Sequence, residues 1–248
     1  MNRWHPQVGT LVTVQYRPIA EEALKVLPKG NYWVGDDAIT QSAPRHLRRF
    51  RVDAWIEPHY VPWTAFAEFV AAGGFAEKEL WQTATGRPFP PGCIPLSVDV
   101  RCDEVREATL AGMPAALLDS GTIEAVPVLG LTWFEASAVC RFFGGRLPYE
   151  AEWEVASTRR LLPSPRKSSV LFQEWTGDVW SSRYWRADGS IRGRPWEGGG
   201  EVAVRGYATH EPAFAATARR AADPAVGLPA RAFRRAWDRL PSHVEAPR

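Results

Sequence analysis

The sequence predicts a single α+β domain, and three observations carry that prediction. The stretch from Val126 to Arg160, VPVLGLTWFEASAVCRFFGGRLPYEAEWEVASTRR, reads as strand, helix, sharp reversal, helix. Before it come strand-like runs at Asn31-Tyr32-Trp33-Val34-Gly35 and from Arg49 to Ile56, then an amphipathic helix from Pro62 to Gly74. At 248 residues the chain is long enough for one large core, and mixed folds of this size are often one domain.

Residues 1–29 form an N-terminal appendage packed on the domain: a Val-rich alternating run, Thr10 to Tyr16, then a short helical stretch, Ile19 to Leu27. The domain itself takes residues 30–237, and residues 238–248, ending SHVEAPR, are a tail expected to fray. In the helix from Pro62 to Gly74, Phe66, Phe69 and Val70 share one face and Gly73-Gly74 is the stop. Thr83 to Ser97 is rich in Pro and Gly (Pro88, Pro90, Pro91, Gly92, Pro95) and predicts an irregular surface loop. Asp103 to Met113 is a helix candidate with Asp103 as its cap.

The densest signals follow. Thr132 caps a helix with its hydroxyl while Glu135, three residues on, reaches back to the cap N–H. Phe134, Ala138 and Phe142, with Val139 and Phe143, fall at helical spacing, and Gly144-Gly145 ends the helix. A second helix begins near Pro148, where a missing N–H costs nothing. It carries Glu150, Glu152 and Glu154 near its positive end and Arg159-Arg160 at the other, as the helix dipole prefers. Trp185 to Gly200 is a Gly- and Arg-rich loop.

Composition narrows the function classes. Thirty basic against twenty-eight acidic residues leave a formal charge of +2, so no global field points to nucleic acid or membrane. Arg159 to Arg194 is Arg-rich and Asp99 to Glu154 acidic, which reads as two solvated faces of one domain. Three cysteines, Cys93, Cys102 and Cys140, are too few and odd in number for a disulfide-stapled secreted domain, and a reducing cytosol fits best. The first residues lack an apolar signal core, and no stretch approaches about 18 apolar residues. A cytoplasmic protein is therefore expected. Twelve Trp residues read as core.

The run P-V-x-x-x-T-W-F-E-A-x-A-x-C-x-F-x-G-G-R-L-P-Y-E-A-E-W-E resembles the signature of the formylglycine-generating enzyme, or sulfatase-modifying factor, superfamily. Further blocks keep that family's order: Ala43-Pro44-Arg45-His46-Leu47, Phe50-Arg51-Val52, Glu174-Trp175-Thr176, Val204-Arg205-Gly206 and Ala232-Phe233-Arg234. The resemblance spans roughly Gly30 to Trp237 and implies a loop-rich, C-type-lectin-like α+β domain. Within the superfamily, Gly73-Gly74-Phe75 through Leu80-Trp81 and Val204 through Pro212 are similar to the C-terminal domain of the iron-dependent sulfoxide synthases of ergothioneine and ovothiol biosynthesis. The chain departs from the pattern at several points. Pro62 and Trp63 stand where Thr and Asn are usual, only LLPSPRKSSVLF separates Arg160 from Gln173, Tyr207 displaces a Gly and a Ser, and Ala221 replaces an Asn.

The resemblance also bears on cofactors. Formylglycine generation uses a C-terminal cysteine pair to hold copper, and thiolates suit Cu(I) because both are soft. Val202 to Trp237 has no cysteine, so that oxidase activity is not carried over and copper is not expected. Leu171 stands where the formylglycine-generating branch has a calcium-binding Asn, so calcium is not expected either. The sulfoxide synthases hold iron through histidines contributed mainly by a separate helical bundle. That bundle is absent from this sequence, and iron is expected only with a partner chain. His5, His46, His59, His210 and His243 show no i,i+4 pair or other metal-binding spacing, so no metal site is assigned.

By resemblance, the ligand-binding candidates are Trp175, Asp178, Arg205, His210 and Arg219. Arginine can hold a carboxylate bidentately and Trp can wall a pocket or face a cation. Each has a structural alternative. Arg205 can be a core arginine paired with a glutamate of the second helix, His46 a hydrogen-bonded structural imidazole, and His210 a surface or core residue. Cys140 reads as core, and Cys93 and Cys102 as either structural residues or a metal or redox pair. No catalytic residue is assigned. The reading that follows is a binding or scaffold module for a partner protein or small molecule, acting through the surface built from Thr176 to Thr209. The alternative is one subunit of an oxygen-dependent non-haem iron enzyme of sulfoxide-synthase type, its metal-bearing bundle on another chain. A third is a self-contained oxidase using His210 with Glu211 or Asp178.

Overall fold

The computed structural model describes residues 24–113, 126–162, 172–182, 193–206 and 216–241. The Thr10–Tyr16 run, the first half of the Trp185–Gly200 loop, His210 and the last seven residues lie outside the described residues.

Strands from the two ends of the described chain meet in one sheet. Strands β1 (Lys25–Leu27), β4 (Ala54–Ile56) and β9 (Ala236–Trp237) lie in the order β1-β4-β9, all antiparallel, with Trp55 opposite Trp237. The helical stretch expected from Ile19 to Leu27 therefore ends as a strand: Lys25–Leu27 gain a ladder partner in β4, which outweighs local helical preference. A hairpin of β2 (Gly30–Val34) and β3 (His46–Phe50) packs beside it. Tyr32, Val34, Arg48 and Phe50 point inward, while Trp33 and Leu47, directly opposite each other, face out, with Arg45 over the Trp33 ring. The Arg49–Ile56 run is two strands rather than one. Arg51, Val52 and Asp53 are exposed and turn the chain between β3 and β4.

Helix α1 (Trp63–Ala71) buries Phe66 and Phe69 as expected. The Phe69 ring lies within 6.5 Å of those of Phe66, Phe75, Trp81 and Phe142. Truncating such a residue typically costs about 3–5 kcal/mol. Helix α2 (Val98–Gly112) starts five residues before the expected Asp103 cap. Ser97 is the cap, accepting the Val100 N–H at 3.4 Å, with Asp99 in the first turn. Only Cys102, Val105 and Thr109 of this helix are buried.

Helix α3 (Trp133–Phe142) carries the predicted capping box: Glu135 N–H donates to Thr132 Oγ1 at 3.2 Å and Thr132 N–H to Glu135 Oε2 at 2.8 Å. Trp133 through Cys140 are all buried, so the helix is walled on every side. The strand expected before it is an extended segment with a single bridge, Pro62 to Pro127, because a proline has no N–H for a ladder. Helix α4 (Glu150–Thr158) begins two residues after Pro148. Tyr149 caps it, and Glu152 reaches back to accept the Tyr149 N–H at 2.8 Å.

The second half of the domain is a four-stranded sheet in the order β7-β6-β5-β8, made of β5 (Gln173–Val179), β6 (Val202–Arg205), β7 (Arg219–Ala222) and β8 (Arg231–Ala232). All pairs are antiparallel except β5 with β8, and the ladder between β5 and β6 is irregular between Trp175 and Val179. Among the described residues no helix is long and apolar enough to cross a membrane.

Candidate functional site

Strand β5 contributes a residue to each of two clusters, Asp178 to one and Gly177 to the other, and the clusters differ in how their charges are used. The first lies under the N-terminus of α4. Arg219 grips Glu150 with both arms, Nε to Oε1 at 2.8 Å and Nη2 to Oε2 at 2.7 Å, and donates to Ser181 O. Arg205, fully buried, pairs with the same Glu150 at 3.2 Å and with Glu154 at 2.9 Å, and donates to Thr217 O at 2.7 Å. Glu154 also accepts the N–H of Gly35, whose positive φ of 84° and close approach to the Pro44 carbonyl leave no room for a Cβ. Two arginines and two glutamates thus close a neutral quartet joining α4 to β2, β6 and β7. Arg205 is a core arginine paired with glutamates of the second helix.

The electrostatics follow from that enclosure. Burial alone pushes the Glu150 carboxyl up, but Arg219 and Arg205 pull it below the ordinary carboxylate value. Glu154 ends above it, burial outweighing its Arg205 partner. Asp178 accepts the Glu150 N–H at 2.5 Å and the Arg194 N–H, yet burial and then the neighbouring Glu150 charge push it up to about 7. Trp175 is fully buried. Its N–H donates to Leu131 O at 3.0 Å, and the cation over its ring is the chain's own Arg231, 4.2 Å from the centroid.

Arg205, Arg219 and Asp178 are therefore brought together, Trp175 sits apart in the main core, and His210 lies outside the described residues. His46 places Nδ1 2.6 Å from Pro44 O, and burial lowers its pKa. The three cysteines are free thiols. Burial raises all three above the ordinary thiol value, Cys102 to about 11, with Asp99 and Asp103 adding to the effect there. Such thiols are poor thiolate ligands and nucleophiles. Among the described residues no three His, Cys, Asp or Glu side chains gather as a metal site would require.

The second cluster lines a cleft of about 50 Å³ between α3 and the reversal that follows it, closed by Gly177 of β5, Pro195 and Trp196. Trp133, Ser137 and Arg141 reach it from α3, and Arg146, Leu147 and Tyr149 from the reversal. Trp133 and Trp196 meet at 5.4 Å, and each indole N–H is already spent, on Thr176 O and Gly200 O, so both offer the cleft carbon surface. Arg146 is committed to Glu152 and Asp238 and lies over the Tyr149 ring at 4.2 Å. Arg141 differs. It is half-buried, burial lowers its pKa, and its guanidinium makes no hydrogen bond or ion pair among the described residues. Sequence reasoning missed this cleft, although Trp133, Ser137 and Arg141 stand at i, i+4 and i+8 and so share one helical stripe.

The fold has known counterparts. The structure of PvdO from Pseudomonas aeruginosa is 17% identical, with a TM-score of 0.55 over 86% of this chain and 93% of that one. Treponema denticola variable protein 1 is 12% identical, with a TM-score of 0.55 over 87% of this chain and 95% of that one. At those identities the likeness is one of fold alone. No curated protein matches the chain. The family profile of the sulfatase-modifying factor enzyme 1-like domain matches residues 12–163, a span that holds α3, the double-glycine reversal and α4 and stops where the chain shortens before β5. The chain belongs to the sulfatase-modifying factor enzyme 1-like domain family.

Proposed function

We propose that this domain is a binding module, a rigid frame that offers the surface between Thr176 and Thr209 to a small molecule or to a side chain of a partner protein in the cytoplasm. The observation that carries this reading is the division of labour between the two clusters. Arg205, Arg219 and Asp178 are spent on internal partners that lock α4 to the sheet, whereas the cleft at Gly177 and Trp196 keeps a cation without one. Elemental mass spectrometry tests it, on protein purified without a metal-affinity tag and again after anaerobic incubation with Fe(II) or Cu(I). Metal at trace level throughout is the expected result. Near one equivalent of iron or copper, lost in His210→Ala, would overturn the module in favour of a self-contained oxidase.

One observation favours the second reading, a subunit of an iron enzyme of sulfoxide-synthase type. Ile94, Leu96, Val98 and Val100 point outward at the start of α2, an apolar stripe suited to a partner chain. Co-purification with a histidine-rich helical-bundle protein, abolished by Leu96→Asp with Val100→Asp, would support it.

A further inference from the structure

We propose that the α3 cleft recognises a small monocarboxylate carried on a flat apolar group, with Arg141 as the carboxylate's partner. The inference rests on the binding-module reading and deepens it. The pairing of the arginines sets where an anion would bind. Arg146 is paired with both Glu152 and Asp238, and Glu197, the carboxylate whose charge reaches Arg141, makes no ion pair with it: its Oε2 accepts from the Thr85 hydroxyl and lies 3.7 Å from Arg87. Burial holds the adjacent Cys140 thiol and the Tyr149 phenol in their neutral forms. Of the arginines lining the cleft, Arg141 is the one without a hydrogen bond or ion pair among the described residues. A half-buried guanidinium has given up part of its hydration, and a carboxylate would replace it with charge-assisted hydrogen bonds.

Size and shape set the rest. A cleft of about 50 Å³ admits a carboxylate and the first atoms behind it. The Ser137 hydroxyl, one turn before Arg141 on the same stripe, supplies a second donor for the carboxylate. The carbon edges that Trp133 and Trp196 turn to the cleft suit a planar group against them, since their N–H groups are engaged elsewhere. A phosphate dianion fits less well, because it would need a second uncommitted cation.

The test is an NMR titration of the full chain, labelled with ¹⁵N, with sodium benzoate and with benzamide, a neutral molecule of nearly the same shape. Benzoate is expected to shift the indole N–H signals of Trp133 and Trp196 saturably, with benzamide at least ~10-fold weaker, the scale of one charge-assisted hydrogen bond. Arg141→Leu should weaken benzoate at least ~10-fold while leaving the fold intact by circular dichroism, and Arg141→Lys should restore part of the loss. Equal binding of benzoate and benzamide, or undiminished benzoate binding in Arg141→Leu, would overturn carboxylate recognition while leaving the module reading standing. No saturable shift with either probe would also overturn it. The module reading itself fails only on the metal measurement.

Discussion

The arginines under α4 and the arginine at the end of α3 are chemically identical residues put to opposite uses. Arg205 and Arg219 are buried with their counter-ions and hold together residues 51 to 69 apart in sequence, whereas Arg141, half-buried, gains no partner among the described residues. A buried charge that is fully paired contributes order, and removing one partner strands the rest. A half-buried charge without a partner contributes nothing to the frame, so its substitution should register in binding and leave stability alone.

The sharpest way to break the comparison is Glu150→Ala, which strands Arg219 and half of Arg205's pairing. The expected loss is about 3–5 kcal/mol in urea unfolding, and a loss below about 1 kcal/mol would show that the quartet is not the lock described. A pH effect follows from Asp178. Its carboxyl is raised from 3.8 to about 7, so the folded protein holds that proton more tightly than the unfolded chain. The stabilisation is complete below about pH 4 and is lost as pH rises towards about 7. Glu154, also raised, acts in the same sense. In Asp178→Asn the fall of stability between pH 4 and 7 should flatten, as read from denaturation midpoints across that range. Thr132→Ala, which removes one half of the α3 capping box, is expected to cost about 1 kcal/mol. The smallest effect is the most telling: Arg141→Leu should move stability by less than about 0.5 kcal/mol.

Much of the frame is legible in the sequence because its signals are local. Thr132 with Glu135 and the Gly144-Gly145 stop place α3 to within a residue. The start of α2 was misread because Asp103 and Ser97 are both good caps, and only three buried residues mark the helix's inner face. The turn at Arg51-Val52-Asp53 contains neither Gly nor Pro, so composition runs straight through it. The pairing of Arg205 was legible too, since three alternate glutamates at the head of one helix ask for buried cations. The cleft was not. That Arg141 lacks a partner among the described residues becomes visible only when the acids around the cleft have been assigned, and Glu152, Glu197 and Asp238 come from three separate segments and go to Arg146, Thr85 and Arg87 instead.

The β1-β4-β9 sheet has a consequence for how the protein is made. Its last strand and the Glu57–Arg235 ion pair join residues 178 apart in sequence. During synthesis β1 and β4 emerge with an open edge and an unmatched Glu57, and wait for the intervening residues before Arg235 and Trp237 arrive. Contacts of such separation form slowly and only after the intervening chain is organised. The sheet thus closes only once β9 has been made, and a chain stalled short of β9 leaves the ribosome with that sheet edge uncovered.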